Sequence, residues 1–167
     1  MVSINIIKFQ FACGICLLII PSMWICPNCG AQYVQKNMWH SCLRLTEWEF
    51  LKNKPARAIE LYKYFLKEYR KIGQIRLHVV KSRIAFMVKV RFSGVSGFCR
   101  DHINGAFLLK NKIESNKFYR IEYIPENNFI HHFKIYKETD IDDEFRGFMK
   151  LAYEVGERKH IKFKAKS

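Results

Sequence analysis

The stretch IRLHVVKSRIAFMVKVRF, residues 75–92, alternates apolar and polar side chains with the period of an extended chain. It divides at Lys81–Ser82 into two strands, 75–81 and 83–92. In the second, Ile84, Phe86, Val88, Val90 and Phe92 fall on one face. Arg83, Met87, Lys89 and Arg91 fall on the other, with Ala85 between them. A helix spacing of these residues would scatter the apolar set around the axis, so the segment is read as strand. GVSG, residues 94–97, is expected to end the run.

Working outward, INGAFLLKNKI (103–113) and KFYRIEYI (117–124) read as further strands. PENN (125–128) is a turn, and FIHHFKIYK (129–137) is its hairpin partner. Upstream, LTEWEFLKNKPARAIELYKYFLKEYRKIG (45–73) has helical spacing in two pieces. Thr46 and Glu49 form a capping box for the first piece, and Pro55 suits the start of the second. Ile59, Tyr62, Leu66 and Tyr69 supply its apolar stripe, with Phe65 and Ile72 alongside, and Gly73 stops it. DIDDEFRGFMKLAYEVG (140–156) is a last helix, capped by Asp140, burying Ile141, Phe145, Phe148, Ala152 and Val155, and ending at Gly156. The expected fold class is α+β: an antiparallel sheet of about five strands with flanking helices, preceded by a small zinc knuckle. The expected segments are 1–22, an apolar leader; 23–45, the knuckle; 46–160, the α+β domain; and 161–167, a basic tail.

The knuckle is CPNCGAQYVQKNMWHSC, residues 26–42. Zinc takes four thiolate or imidazole ligands in a tetrahedron. Cys26 and Cys29 supply two from one turn, which Pro27 and Gly30 make easy to form. His40 and Cys42 return ten residues later as the second pair. Four protein ligands leave no open position for substrate, so the zinc is read as structural. Cys13 and Cys16 form another CxxC but lie in a Phe/Ile/Leu run, where cysteine behaves as a small hydrophobe. This cysteine usage favours a reducing, cytoplasmic setting over a disulfide scaffold. Residues 1–22 carry one charge, Lys8, and an apolar run from Phe11 to Ile20 that is half of a membrane span. The favoured reading is an over-extended start, with Met23 as the natural one. A signal or membrane segment, which would bring a membrane partner, and a buried helix stay open.

With 49% hydrophobic and 15% aromatic residues among 167, the chain can bury a core. Its 29 Lys and Arg against 15 Asp and Glu give a formal charge of +14, which favours a polyanionic partner, DNA or RNA or an anionic membrane surface. Lys81, Arg83, Lys89 and Arg91 form a candidate basic stripe on the sheet, extended by Arg120 and His132 if these share its face. An ordinary solvated sheet face is the competing reading. His131 shares parity with Phe129, Phe133 and Ile135, and is expected in the core. Cys99, near Arg100 and His102, is a lone thiol without an evident partner. No P-loop, dinucleotide fingerprint or convergent acid–base pair appears. A binding role is therefore favoured over an enzymatic one, which stays open.

The segments MWICPNCG…WHSC, KSRIAFMVKVRF, FYRIEYIPENNFIHHFKIY and DIDDEFRGFMKLAYEVG resemble the bacterial family called domain of unknown function 5655. The resemblance runs from Met23 to about His160. It implies a small α+β domain behind a CPxCG-type knuckle, with Cys26, Cys29, His40 and Cys42 as ligands. It also points to Lys81, Arg83 and Phe86. Related modules occur attached to restriction-type and other DNA-acting proteins, which implies a nucleic-acid context without an activity. Two other functions stay open: a ligand-binding or enzymatic domain with a pocket between sheet and helices lined by Arg91, Arg120 and His132, and a protein–protein adaptor.

Overall fold

The computed structural model describes residues 24–28, 32–33, 45–125 and 127–159. The chain divides into two units, Met1–His40 and Ser41–Ser167. In the first, β1 (Trp24–Ile25) pairs antiparallel with β2 (Gln32–Tyr33), Trp24 opposite Tyr33 and Ile25 opposite Gln32. Cys26 follows β1 directly and is buried, with Pro27 and Asn28 turning the chain after it. Cys29, His40 and Cys42 lie outside the described residues, as do the leader 1–22 and the tail 161–167.

The second unit begins with α1 (Glu47–Leu51), whose capping box forms as expected. Glu49 N–H donates to Thr46 Oγ1 at 3.1 Å, and Thr46 N–H donates to Glu49 Oε2 at 2.7 Å. α2 (Ala56–Ile72) starts behind Pro55 and buries Ala58, Leu61, Tyr62, Phe65, Leu66 and Tyr69. Ile59 and Ile72 sit at the margin of this stripe, only partly buried. Gly73 ends the helix with its N–H on the Tyr69 carbonyl, 3.2 Å away. Its φ of 172° is extended backbone, so handedness does not demand glycine there. A Cβ would sit 2.2 Å from Tyr153 Oη, so the Tyr153 ring would have to shift to admit one.

Six strands follow: β3 (Arg76–Val80), β4 (Arg83–Met87), β5 (Arg91–Phe98), β6 (Ile103–Leu109), β7 (Phe118–Ile124) and β8 (Asn128–Ile135). They form one antiparallel sheet in the order β3-β4-β5-β6-β8-β7. Its inner face carries Ile84, Phe86, Val95, Phe107 and Phe133, all fully buried. Phe65 of α2 lies at the centre, with ring centroids 5.5 Å from Phe86, 5.4 Å from Phe133 and 6.3 Å from Phe107. α3 (Asp143–Gly156) closes the core with Phe145, 5.2 Å from Phe107 and 5.1 Å from Phe133. Each such ring contributes about 1.5–3 kcal/mol of burial, so this cluster is the principal source of the fold's stability.

Residues 83–92 are not one strand, contrary to their unbroken alternation. β4 ends at Met87 and β5 begins at Arg91, with Met87 and Arg91 opposite each other across the turn. Val88, Lys89 and Val90 make that turn without glycine, proline or asparagine. It is held from outside: the N–H groups of Lys89 and Val90 both donate to the Gly156 carbonyl at the end of α3, at 3.0 and 3.1 Å. A helix C-terminus offers unpaired carbonyls, and here one of them fixes a hairpin. The run also does not end at GVSG, since Gly94 to Gly97 lie inside β5. Gly94 is there because a Cβ would meet the Ile84 carbonyl of β4 at 2.7 Å. The first of these departures turns the expected five strands into six, and the second lengthens β5.

The last helix is capped by Asp142 rather than Asp140. Asp142 Oδ1 accepts the Phe145 N–H at 2.9 Å. Asp140 instead accepts the N–H groups of Tyr136 and Lys137, at 2.8 and 3.0 Å, closing a single 3-10 turn, Glu138–Asp140. α3 buries Phe145, Phe148, Ala152 and Val155 as expected, with Met149 added, while Ile141 is buried ahead of the helix. α2 and α3 are also joined by charge: Glu68, 3% exposed, is held by Lys71 and by Arg146 Nε at 2.9 Å. Among the described residues no helix is long and apolar enough to cross a membrane.

A candidate anion-binding site at one end of the sheet

Alternation along β3, β4 and β5 places the ends of α2 and α3 at the same end of the sheet as the start of β3, the β4–β5 turn and the start of β5. α2 closes with Arg70 and Lys71, the arrangement that offsets the negative end of a helix. Only Gly73, Gln74 and Ile75 separate it from Arg76 at the head of β3. Arg70 and Arg76 therefore line one open cleft of about 590 Å³, with Gln74, Ile75, Met87 and Val88. Arg76 Nη2 donates to the Val88 carbonyl at 2.7 Å, which steadies its guanidinium at the rim. Arg76 pairs with Met87 and Met87 with Arg91, so the two arginines flank Met87 in one cross-strand row. At a strand spacing of about 4.8 Å their Cα atoms are roughly 10 Å apart. Lys89 is exposed in the adjoining turn.

Of the six expected basic residues, Lys89 and Arg91 belong to this end. Lys81 and Arg83 are exposed at the β3–β4 turn, at the opposite end of the five-residue β4. Four steps of about 3.3 Å put some 13 Å between the two groups. Arg120 and His132 face each other on β7 and β8, at the far side of the sheet. Both turn to Glu122 Oε1, Arg120 Nη2 at 2.8 Å and His132 Nε2 at 2.9 Å. The six residues are thus three separate pairs, not one stripe. Arg70 and Arg76 were not among them. Their signal was connectivity: basic residues closing a helix and opening the next strand across a three-residue link share one end of the layers.

The residues weighed for catalysis have other employment. His131 is fully buried, and its Nε2 accepts the Ile113 N–H at 3.0 Å, tying the β6–β7 loop to the core. Burial pushes its pKa below the ordinary imidazole value. Cys99 Sγ accepts from Asn104 Nδ2 at 3.6 Å, while His102 Nδ1 faces Asp101 Oδ1 at 2.7 Å. Arg91 stands on β5, two strands from β8, so it does not converge with Arg120 and His132. Of the four expected zinc ligands only Cys26 is described, and among the described residues no group of three or more His, Cys, Asp or Glu converges. Compared with known proteins, the chain matches no family model, no curated protein and no solved structure.

Proposed function

We propose that this protein is a nucleic-acid-binding module that grips the phosphate backbone with the basic end of its sheet. The observation that carries this reading is the shared cleft of Arg70 and Arg76, with Arg91 in the same strand row and Lys89 beside it. Guanidinium groups present a fork that suits phosphate oxygens, and a cluster on rigid elements loses little entropy on binding. The formal charge of +14 supports the same reading, since it draws polyanions from a distance. The sheet–helix interface is filled by side chains, Phe65, Phe86, Phe107, Phe133 and Phe145 among them, which disfavours a ligand pocket there.

In this reading the chain binds a structural zinc through Cys26, Cys29, His40 and Cys42. The fit rests on Cys26, buried at the end of β1 where the β1–β2 hairpin turns. When bound, the zinc supplies cross-linking rather than chemistry. Its thiolates require a reducing compartment, consistent with a cytoplasmic protein.

The test is binding of a labelled single strand and of a labelled duplex at 0.1 M salt, with the figures given for the duplex. Each phosphate contact contributes about 0.9 log units there, or roughly eightfold. Arg70→Ala with Arg76→Ala should weaken binding by about 60-fold on the same scale. Lys81→Ala with Arg83→Ala should change it by less than about threefold, as for cations outside the contact. Absence of wild-type binding to both strand and duplex, or equal losses from the two pairs on the form that binds, would refute the assignment.

A further inference from the structure

Tyrosine and histidine rings gather at the opposite corner of the sheet, on the face away from the core. Tyr119 of β7 is 56% exposed and Tyr136, just beyond β8, is 47% exposed. Strand register accounts for the grouping. Asn104 lies opposite Lys134 and Ile103 opposite Ile135, so the next positions out, His102 and Tyr136, meet on the outer face. Their rings lie 4.7 Å apart between centroids, tilted by 33°. Tyr119 follows the inward Phe118 and faces outward by alternation, and the irregularity between Phe118 and Arg120 leaves Arg120 on that face as well. The Tyr119 ring lies 5.9 Å from His132, and Lys134 Nζ stands 5.2 Å from its centroid. The nearby carboxylates are each engaged: Asp101 by His102, and Glu122 by Arg120 and His132.

Phe86, Phe92, Phe107 and Phe133 are fully buried. Tyr119 and Tyr136 instead stand about half-exposed beside cationic and imidazole groups. Exposed aromatic faces interleaved with cations are what a single strand of nucleic acid takes, because every base has a π-face to stack and every nucleotide a phosphate to pair. A duplex hides those faces. We infer that Tyr119 and Tyr136, with Lys134 between them, form a base-stacking platform, and that the nucleic acid this protein binds is single-stranded. This rests on the phosphate-binding reading above and names the form of its ligand.

The experiment uses the full chain and three labelled probes at 50 mM salt: a dT12 strand, an abasic strand of the same length, and a duplex. Wild-type protein should bind dT12 more tightly than the abasic strand. Tyr119→Ala with Tyr136→Ala should lose at least about fivefold per ring on dT12, the lower end for base stacking, and nothing on the abasic strand. Tyr119→Phe with Tyr136→Phe should restore dT12 binding, since stacking needs the ring and not the hydroxyl. Equal wild-type binding of dT12 and the abasic strand, or unchanged dT12 binding by the alanine variant, overturns the platform. Duplex binding that still depends on Arg70 and Arg76 would then leave the phosphate reading standing. Binding of none of the three probes overturns both, as does binding to anionic vesicles alone.

Discussion

Arg146→Met tests the α2–α3 clasp directly. Arg146 donates from Nε to Glu68 Oε2 at 2.9 Å, and Glu68 is 3% exposed. Removing one partner of a buried ion pair typically costs about 3–5 kcal/mol, because the remaining charge is left in a poorly solvated site. Two facts reduce that figure: Lys71 still holds the other carboxylate oxygen, and the Arg146 side chain is 38% exposed and therefore screened. The expected loss is about 2 kcal/mol, or roughly 6 °C in Tm for a domain of this size. The pH dependence separates this from lost packing. Burial raises the Glu68 pKa, but the bonds from Lys71 and Arg146 outweigh it and leave the carboxyl below its ordinary value. A depressed folded pKa gives stability that is complete above the unfolded value and drains away as pH falls through the folded one. Urea denaturation should show the full loss for Arg146→Met at pH 7 and a smaller one at acid pH, below the ordinary glutamate value. Glu68→Gln with Arg146→Met should recover at least half of the loss at pH 7, since no buried charge remains. An equal loss at both pH values, or a double variant weaker than the single, would refute this account of the clasp.

Zinc content is expected at about one per chain; Cys26→Ser should lower it and Cys13→Ser should not, measured by metal analysis of protein purified without chelator. Equal loss from both would overturn the ligand assignment. His131 is neutral in the fold, because burial depresses its pKa, so the unfolded chain takes a proton that the folded one refuses. Stability should fall as pH drops from about 6.5 towards the folded value, and His131→Phe, weaker at pH 8 for want of the Ile113 bond, should show a flatter profile in that window.

Much of the fold was legible because it is written locally. The capping box at Thr46–Glu49, the stripes of α2 and α3, the core parity of His131 and the β7–β8 hairpin all follow from period and cap chemistry within a few residues. The misread turn at Val88–Val90 could not be, since its hydrogen bonds go to Gly156, far along the chain. Valine favours extended backbone, and tertiary bonds overrode that preference. Asp140 and Asp142 are equivalent as caps in sequence, and the 3-10 turn at Glu138 is what separates their roles. The basic residues were readable one by one but not as a group. Parity tells which face a strand residue takes, whereas grouping depends on which end of the strand it occupies and which strand lies beside it. β8 lies between β6 and β7, and that swap is what sets Arg120 and His132 apart with Glu122.

The central claim is that phosphates are held by the cations at the α2–β3 end of the sheet. The most direct measurement is the salt dependence of nucleic-acid affinity, by fluorescence anisotropy between 50 and 200 mM salt. Contacts from Arg70, Arg76, Lys89 and Arg91 predict a slope of log Kobs against log salt near −3.6 on a duplex and −2.8 on a single strand, at roughly 0.9 and 0.7 per contact. Arg76→Ala should make each slope shallower by about one contact. A wild-type slope shallower than about −1, or one that Arg76→Ala leaves unchanged while Arg83→Ala reduces it, would contradict the claim.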